Sequence, residues 1–288
     1  MLQTISGLGI SVDVNMVCRR VVEGEIQRIA QLRQVVVESG DPTAVHDLRV
    51  SIRKLRTAIR LFWPILNQEL RSLDLQLREV FHRLGELRNL DVAILACCDF
   101  SDDVREDLVE RLVQMRTLTK PKLVTLLTGP CVVDVLIRIE NPVAIVPQQN
   151  VWNNDTHPIR LAHRKTVKSL RRVSHLWDLV EVHRLRRRIK RLRYAVEFFA
   201  PEMGKSAKAY AKRLEAMQNL LGKTMDQVSL SSFFERLDHL SRGETRECRN
   251  QASKMAKKAT HNRKELLKFK REISGREWKV LKSATRAA

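Results

Sequence analysis

The feature that most constrains this chain is an internal duplication. Shifting the sequence by 137 residues superposes residues 45–85 on 182–222 without a gap, and 13 of the 41 positions are identical. The identical pairs include Val45/Val182, His46/His183, Leu48/Leu185, Arg49/Arg186, Ile52/Ile189, Arg56/Arg193, Pro64/Pro201 and Gly85/Gly222. Chance would give only a few identities. The chain must therefore fold as two related halves, and each structural prediction for one half should have a counterpart in the other.

The spacing of apolar residues within the duplicated segment is helical. Leu48, Ile52, Leu55, Ile59 and Phe62 follow one another at intervals of four, three, four and three residues, and the second copy repeats the pattern. Such spacing places these side chains on one face of a helix, which we predict to be a core face. Ten glycines and eight prolines among 288 residues are few for a β-rich protein. The sequence therefore predicts an all-α fold.

The helical spacing is interrupted once for a long stretch. Residues 128–158 carry clustered prolines and β-branched pairs without a helical period, and we interpret them as a linker. We expect a single domain over residues 14–281, with helical halves at 14–127 and 159–281. Predicted helix boundaries include a start at Asp41-Pro42, a helix over Leu70 to Ala96, and breaks near Pro201, Gly222 and Gly243.

A second row of residues, cationic instead of apolar, runs along each copy of the duplicated helix. The first row comprises His46, Arg49, Arg53, Arg56 and Arg60, and the second comprises His183, Arg186, Lys190 and Arg193. Shorter basic rows add Arg160, Arg164 and Lys168, and then Lys208 and Lys212. Like charges one turn apart weaken a helix by roughly 0.2–0.5 kcal/mol each, so an ordinary solvated face mixes signs. No carboxylate falls on either row before Glu197.

We therefore predict that these rows lack internal counter-charges and bind a polyanion. Arginine suits this role because its planar guanidinium can hold two phosphate oxygens at once. The alternative is a solvated or internally paired helix face. The net charge agrees with a polyanionic partner, since the chain has 53 basic and 33 acidic side chains and a net charge of +20. Residues 1–144 are neutral, with 19 of each sign, so the second half carries the whole excess.

Other chemistries find little support in the sequence. His46 and His183 have no second metal ligand one turn away, and no HExxH motif, glycine-rich phosphate loop or GxSxG motif occurs. We expect no catalytic residues, no metal and no cofactor. Each histidine is predicted to donate a hydrogen bond to phosphate, or alternatively to orient the start of its helix. Five cysteines without a CxxC pair, no apparent signal peptide and no membrane-spanning stretch are typical of a soluble cytoplasmic protein with reduced thiols.

The segments VHDLRVSIRKLRTAIRLF (45–62) and VHRLRRRIKRLRYAVEFF (182–199) closely resemble the motif helices of the CHAD family, the conserved-histidine α-helical domain. LGELRNLD (84–91), and more loosely LLGKTMDQ (220–227), are similar to the segment that follows each such helix. This resemblance implies two four-helix bundles related by a pseudo-twofold axis. It also implies binding of inorganic polyphosphate along the basic helix faces, with some members associated with polyphosphate granules. The chain departs from the family pattern at Lys223-Thr224-Met225, where an acidic run is more usual.

Four functions remain open from the sequence alone, the weakest being a scaffold that couples polyphosphate granules to another protein through the near-neutral first half. The first is non-enzymatic polyphosphate binding, and the second is nonspecific RNA or DNA binding, with nucleic acid as a competing polyanion. Low aromatic content, 5% of residues, disfavours stacking on single-stranded bases. The third is a metal-dependent phosphohydrolase acting on polyphosphate, which would need carboxylates that the basic rows do not supply. Oligomeric state is not indicated by the sequence.

Overall fold

Almost all of the residues that the structure describes are helical. A computed structural model describes residues 3–5, 10–130, 157–175, 179–234, 236–237, 242–261, 269 and 272–284. Its helices are α1 (Val14–Glu38), α2 (Pro42–Leu61), α3 (Gln68–Ala96), α4 (Asp102–Thr128), α5 (Pro158–His175), α6 (Leu179–Phe234), α7 (Arg242–His261) and α8 (Arg276–Ala284). Two short antiparallel strands, β1 (Gln3–Ile5) and β2 (Ile10–Val12), precede them. The all-α prediction is confirmed.

The first four helices pack in a ring. α1 contacts α2 and α4, and α3 lies between α2 and α4. α2 begins where the sequence predicts: Pro42 takes the first helical position, and the Ala44 amide donates to the Asp41 carboxylate at 2.7 Å. α3 ends at Ala96 as predicted. A side-chain cap of this kind stabilises a helix start by about 1 kcal/mol.

The second half repeats the helix boundaries of the first. α6 begins at Leu179, 137 residues after Pro42, and is interrupted at Gly204, 137 residues after the Asn67 cap of α3. Gly204 has φ 72° and ψ −151°, so α6 consists of a first segment (179–203) and a second segment (205–234). α5, α7 and α8 all pack on α6. The duplication therefore extends from residue identities to element boundaries.

The predictions about chain organisation have different outcomes. A break near Pro201 is confirmed, with Gly204 as the non-helical residue. The break predicted near Gly222 is wrong, because α6 continues through it. Most of the predicted linker, residues 131–156, lies outside the described residues. The arrangement as two bundles related by a pseudo-twofold axis, and the limits of one domain at 14 and 281, stay predictions.

The apolar faces of α2 and the first segment of α6 form one continuous core. Leu48, Ile52 and Leu55 are almost fully buried, as are their copies Leu185 and Ile189. Each such side chain contributes roughly 1.5–3 kcal/mol by burial. Phe62 joins the two helices, since its ring centroid lies 5.9 Å from that of Phe199. This packing, confirmed as predicted, holds the two cationic rows beside each other.

No helix among the described residues combines the length and hydropathy needed to cross a membrane. Cys18, Cys97 and Cys248 are buried free thiols, whereas Cys98 is exposed. Burial raises the pKa of the Cys18 thiol to about 12, so this thiol is inert at neutral pH.

Candidate polyanion-binding site

The N-terminal positions of the two cationic rows converge on one cluster. Its members are two residues from α2 and two from the first segment of α6, called here the central cluster: Arg49, Arg53, Arg186 and Lys190. The Arg53 Nε donates to the hydroxyl of Tyr194 at 3.1 Å, which links α2 to α6 directly. Tyr194 is buried, so its hydroxyl needs such a partner. The duplicated helices thus build one cationic surface together.

Each duplicated arginine lies beside a duplicated glycine. A Cβ at Gly85 would lie 3.5 Å from the Nε of Arg49, and a Cβ at Gly222 would lie 3.7 Å from an Nη of Arg186. The Arg49 guanidinium carbon also lies 4.3 Å from the centroid of the Phe81 ring, a cation–π contact. Each guanidinium group therefore packs beside the helix segment that carries its glycine.

The cluster concentrates positive charge where water is partly excluded. Burial, followed by Arg53, Arg186 and Arg88, lowers the pKa of Arg49 to about 10. Burial, followed by Arg53, Arg186 and Arg49, lowers the pKa of Lys190 to about 6. Asp226 opposes both shifts without overcoming them. Lys190 is therefore mostly neutral at pH 7 in the free protein, and an anion at this site would favour its charged form.

Both motif histidines lie near the central cluster. Their side chains are exposed at the surface. Partial burial, followed by Arg88, lowers the pKa of His46, and partial burial, followed by Arg187, lowers that of His183. Each imidazole is therefore neutral at pH 7. Either ring would gain a proton more easily with phosphate nearby, which is compatible with the predicted hydrogen bond to phosphate.

The prediction that the rows lack internal counter-charges is wrong for their C-terminal positions. In the first copy, the buried carboxylate of Asp74 on α3 accepts from the Nε of Arg56 at 2.8 Å and from the Nε of Arg60 at 2.9 Å. In the second copy, Arg193 donates to Glu215 at 2.8 Å. Asp74 and Glu215 come from the helix segment that follows each motif helix. These arginines therefore pin the motif helices to their neighbours.

The prediction is also wrong, though less consequentially, for Arg186. One of its Nη atoms lies 3.2 Å from the Asp226 carboxylate. The Asp226 side chain is 63% exposed, and an ion pair this exposed contributes only about 0–1 kcal/mol. Arg49, Arg53 and Lys190 form no ion pair within 4 Å with any carboxylate in the described part of the chain. These three residues of the central cluster therefore fit the prediction that the rows lack internal counter-charges.

The remaining predicted binding residues lie on other surfaces. Arg164 and Lys168 line a separate cavity on α5, and Arg160 lies one turn before Arg164. Lys208 and Lys212 are exposed on the second segment of α6. The groups that shift the pKa values of Arg49, Arg186 and Lys190 all belong to α2, α3 and α6. The α5 row is not among these groups.

Sequence reasoning missed two contributors to the central cluster. Arg88 on α3 acts on both Arg49 and His46, and it lies on the face of Gly85, one turn further along the helix. The spacing of one helical turn from Gly85 could have identified Arg88 in the sequence. Tyr194 anchors Arg53, but an isolated tyrosine in a core-facing stretch gives no sign of such a role.

The described residues offer no alternative metal centre. No group of three or more histidine, cysteine, aspartate or glutamate side chains among them is arranged to hold a metal ion. Asp91, a carboxylate that could have neutralised the basic rows, instead pairs with Arg116 on α4 at 2.6 Å.

These features define an all-helical protein in which two copies of one helix jointly present a cationic cluster. Residues 20–235 match the model of the CHAD domain, and the chain therefore belongs to the CHAD domain family. Among solved structures, it resembles the CHAD domain from the plant Ricinus communis, with a TM-score of 0.65, 20% identity, and coverage of 99% of this chain and 96% of that chain. It also resembles PptA from Streptomyces chartreusis, with a TM-score of 0.65, 11% identity, and coverage of 88% and 98%. No curated protein matches the sequence.

Proposed function

We propose that this protein binds inorganic polyphosphate at the central cluster and does not hydrolyse it. The observation that carries the proposal is the convergence of Arg49 and Arg53 with Arg186 and Lys190 from the second copy. Three of these four side chains have no carboxylate partner within 4 Å among the described residues. Holding partly buried like charges together costs free energy, which an external string of phosphates would offset.

Polyphosphate suits this arrangement because its charges lie along a flexible chain. A single phosphate can meet one or two guanidinium groups, whereas a chain can contact both motif helices at once. Binding should release counterions, so the affinity should fall steeply with salt. It should also rise with chain length until the chain spans the cluster.

The test is a titration with polyphosphates of increasing length at fixed salt. We expect affinity per chain to rise well beyond that of orthophosphate or sulfate. Competition with ribosomal RNA at equal phosphate concentration separates the two polyanions. Displacement of polyphosphate by RNA under these conditions would show that the cluster recognises nucleic acid instead.

Binding without hydrolysis is part of the proposal. Metal-assisted phosphoryl transfer requires carboxylates that hold a divalent cation. Within the described part of the chain, Asp226 is the one carboxylate that acts on the central cluster, and it is engaged with Arg186. Incubation with polyphosphate and Mg²⁺ or Mn²⁺ should release no phosphate above background. Release that disappears in an Asp226→Asn variant would contradict this part.

We further propose a cytoplasmic location, with polyphosphate granules as the site of accumulation. A fluorescent fusion should coincide with polyphosphate staining. Diffuse fluorescence in cells that contain granules would contradict this proposal while leaving binding in solution untouched.

A further inference from the structure

A second cationic cavity lies at the other end of α2 from the central cluster. It is bounded by the end of α2, the Trp63–Ile65 turn, the start of α5 and the first segment of α6, and its volume is about 420 Å³. This size falls within the range of small-molecule sites. Arg188 and Arg191, which line the cavity, lie about 100° or more around α6 from Arg186 and Lys190 of the central cluster. The cavity therefore lies on a different face of α6 from the central cluster.

Basic side chains line this cavity. Lys165 of α5 and Arg188 and Arg191 of α6 line it, and none of the three forms an ion pair within 4 Å with a carboxylate of the described residues. Arg60 also contributes but shares Asp74. Burial, followed by Arg60 and Arg188, lowers the pKa of Arg191. This charge favours an anionic occupant.

The cavity also has an apolar lining. Leu61, Trp63, Pro64, Leu161 and Ala162 line it. The Trp63 side chain is 43% exposed, although burying a tryptophan would be strongly favourable. Arg71 holds this segment in place: its Nε donates to the Trp63 carbonyl at 3.1 Å, and its guanidinium carbon lies 5.3 Å from the indole centroid. The indole is thus positioned in advance.

Inorganic phosphate chains have no group that could use this apolar wall. A phosphorylated molecule with a flat ring could contact the basic and the apolar lining residues at the same time. We propose that the cavity binds a mononucleotide, with its phosphates at Lys165, Arg188 and Arg191 and its base against Trp63. Base–aromatic stacking is open to a nucleotide but not to an inorganic phosphate of the same charge, so it distinguishes the two ligands.

The experiment measures binding of radiolabelled ATP to the full chain by equilibrium dialysis, with tripolyphosphate as the matched inorganic anion. We expect Trp63→Ala to weaken ATP binding at least fivefold and to leave tripolyphosphate binding unchanged. Trp63→Phe keeps a ring and should retain ATP affinity within about threefold. Arg188→Gln with Arg191→Gln should weaken ATP binding at least tenfold, and melting curves check that each variant folds.

A double variant of the central cluster, Arg49→Met with Arg186→Met, distinguishes this inference from the polyphosphate proposal. It should leave ATP affinity within about twofold of the unmodified protein, whatever happens to polyphosphate binding. Loss of ATP binding in this variant would place the nucleotide in the central cluster and overturn the inference. Unchanged ATP affinity in folded Trp63→Ala would overturn it as well.

Discussion

At the scale of single residues, identical side chains in one row have different roles. Arg49 lies against Phe81 and Gly85 without a carboxylate partner in the described chain, whereas Arg56, two turns later, shares the buried Asp74 with Arg60. The sequence shows both as members of one row. What separates them is the neighbouring helix, which presents a glycine to one and a carboxylate to the other.

Asp74 makes Arg56 a structural residue. We expect Arg56→Gln to lower the free energy of unfolding by about 1–3 kcal/mol, because a buried carboxylate loses its best-placed donor. Polyphosphate affinity should change less than threefold. Denaturant unfolding and a binding titration on the same variant check this. Full stability combined with lost binding would mean that Arg56 contacts the ligand.

Lys190 should couple polyphosphate binding to proton uptake. Its pKa of about 6 leaves it mostly neutral at pH 8, and Arg49, Arg53, Arg186 and Asp226 are the charged groups that act on it. A bound polyanion raises this pKa, so binding at pH 8 should take up as much as one proton, and affinity should fall as pH rises above about 6. Calorimetry in buffers of different ionisation enthalpy measures the uptake.

The control is Lys190→Arg, which keeps the positive charge but cannot titrate in this range. It should bind polyphosphate at pH 8 without proton uptake. A variant with both motif histidines replaced by glutamine should still take up the proton at pH 8. Equal uptake by Lys190→Arg and the unmodified protein would assign the proton to another group.

At the scale of elements, the duplication fixes where helices begin and end. Gly204 takes the position that corresponds to the Asn67 cap, and its backbone conformation is one that essentially only glycine adopts. We expect Gly204→Ala to destabilise the fold by about 1–3 kcal/mol. Gly24→Ala is the matched control, because Gly24 is helical and a Cβ there meets nothing within 4 Å. It should stabilise by roughly 0.5–1 kcal/mol. Equal effects in thermal or denaturant unfolding would contradict this role for Gly204.

Helices and core faces could be read from the sequence because each depends on local spacing. The α2 start, the end of α3 and the buried faces all follow from caps and periodicity. Gly222 could not be interpreted in this way, since a glycine that breaks a helix and one that lies beside a guanidinium within a continuous helix look alike in sequence. The pairing of Arg193 with Glu215 was hidden for a similar reason, because it joins residues 22 positions apart through tertiary packing.

At the scale of the whole molecule, net charge did not predict where the cations meet. The first 144 residues are neutral and the second half carries +20, which suggested unequal halves. The central cluster nevertheless takes two cations from each copy, and Arg88 adds a third from the first half. Carboxylates of the first half, such as Asp74 and Asp91, are engaged with arginines elsewhere. Spatial convergence, more than regional charge, determines the surface that a polyanion meets.

The central claim is that the convergent arginines of the two motif helices hold the polyphosphate chain. The most direct test compares Arg49→Met with Arg186→Met against a charge-matched control, Arg246→Met with Arg249→Met on the exposed face of α7. Methionine replaces the unbranched stem of arginine without its charge and can pack on Phe81. The measurement is polyphosphate affinity across a salt series, with melting curves for each protein.

We expect the central double variant to bind at least tenfold more weakly, with its salt slope reduced by about 1–2 and its melting temperature maintained. The control should lose much less affinity. Equal losses in the two variants would show that bulk charge alone attracts the ligand, and undiminished binding by the folded central variant would show that the chain binds elsewhere.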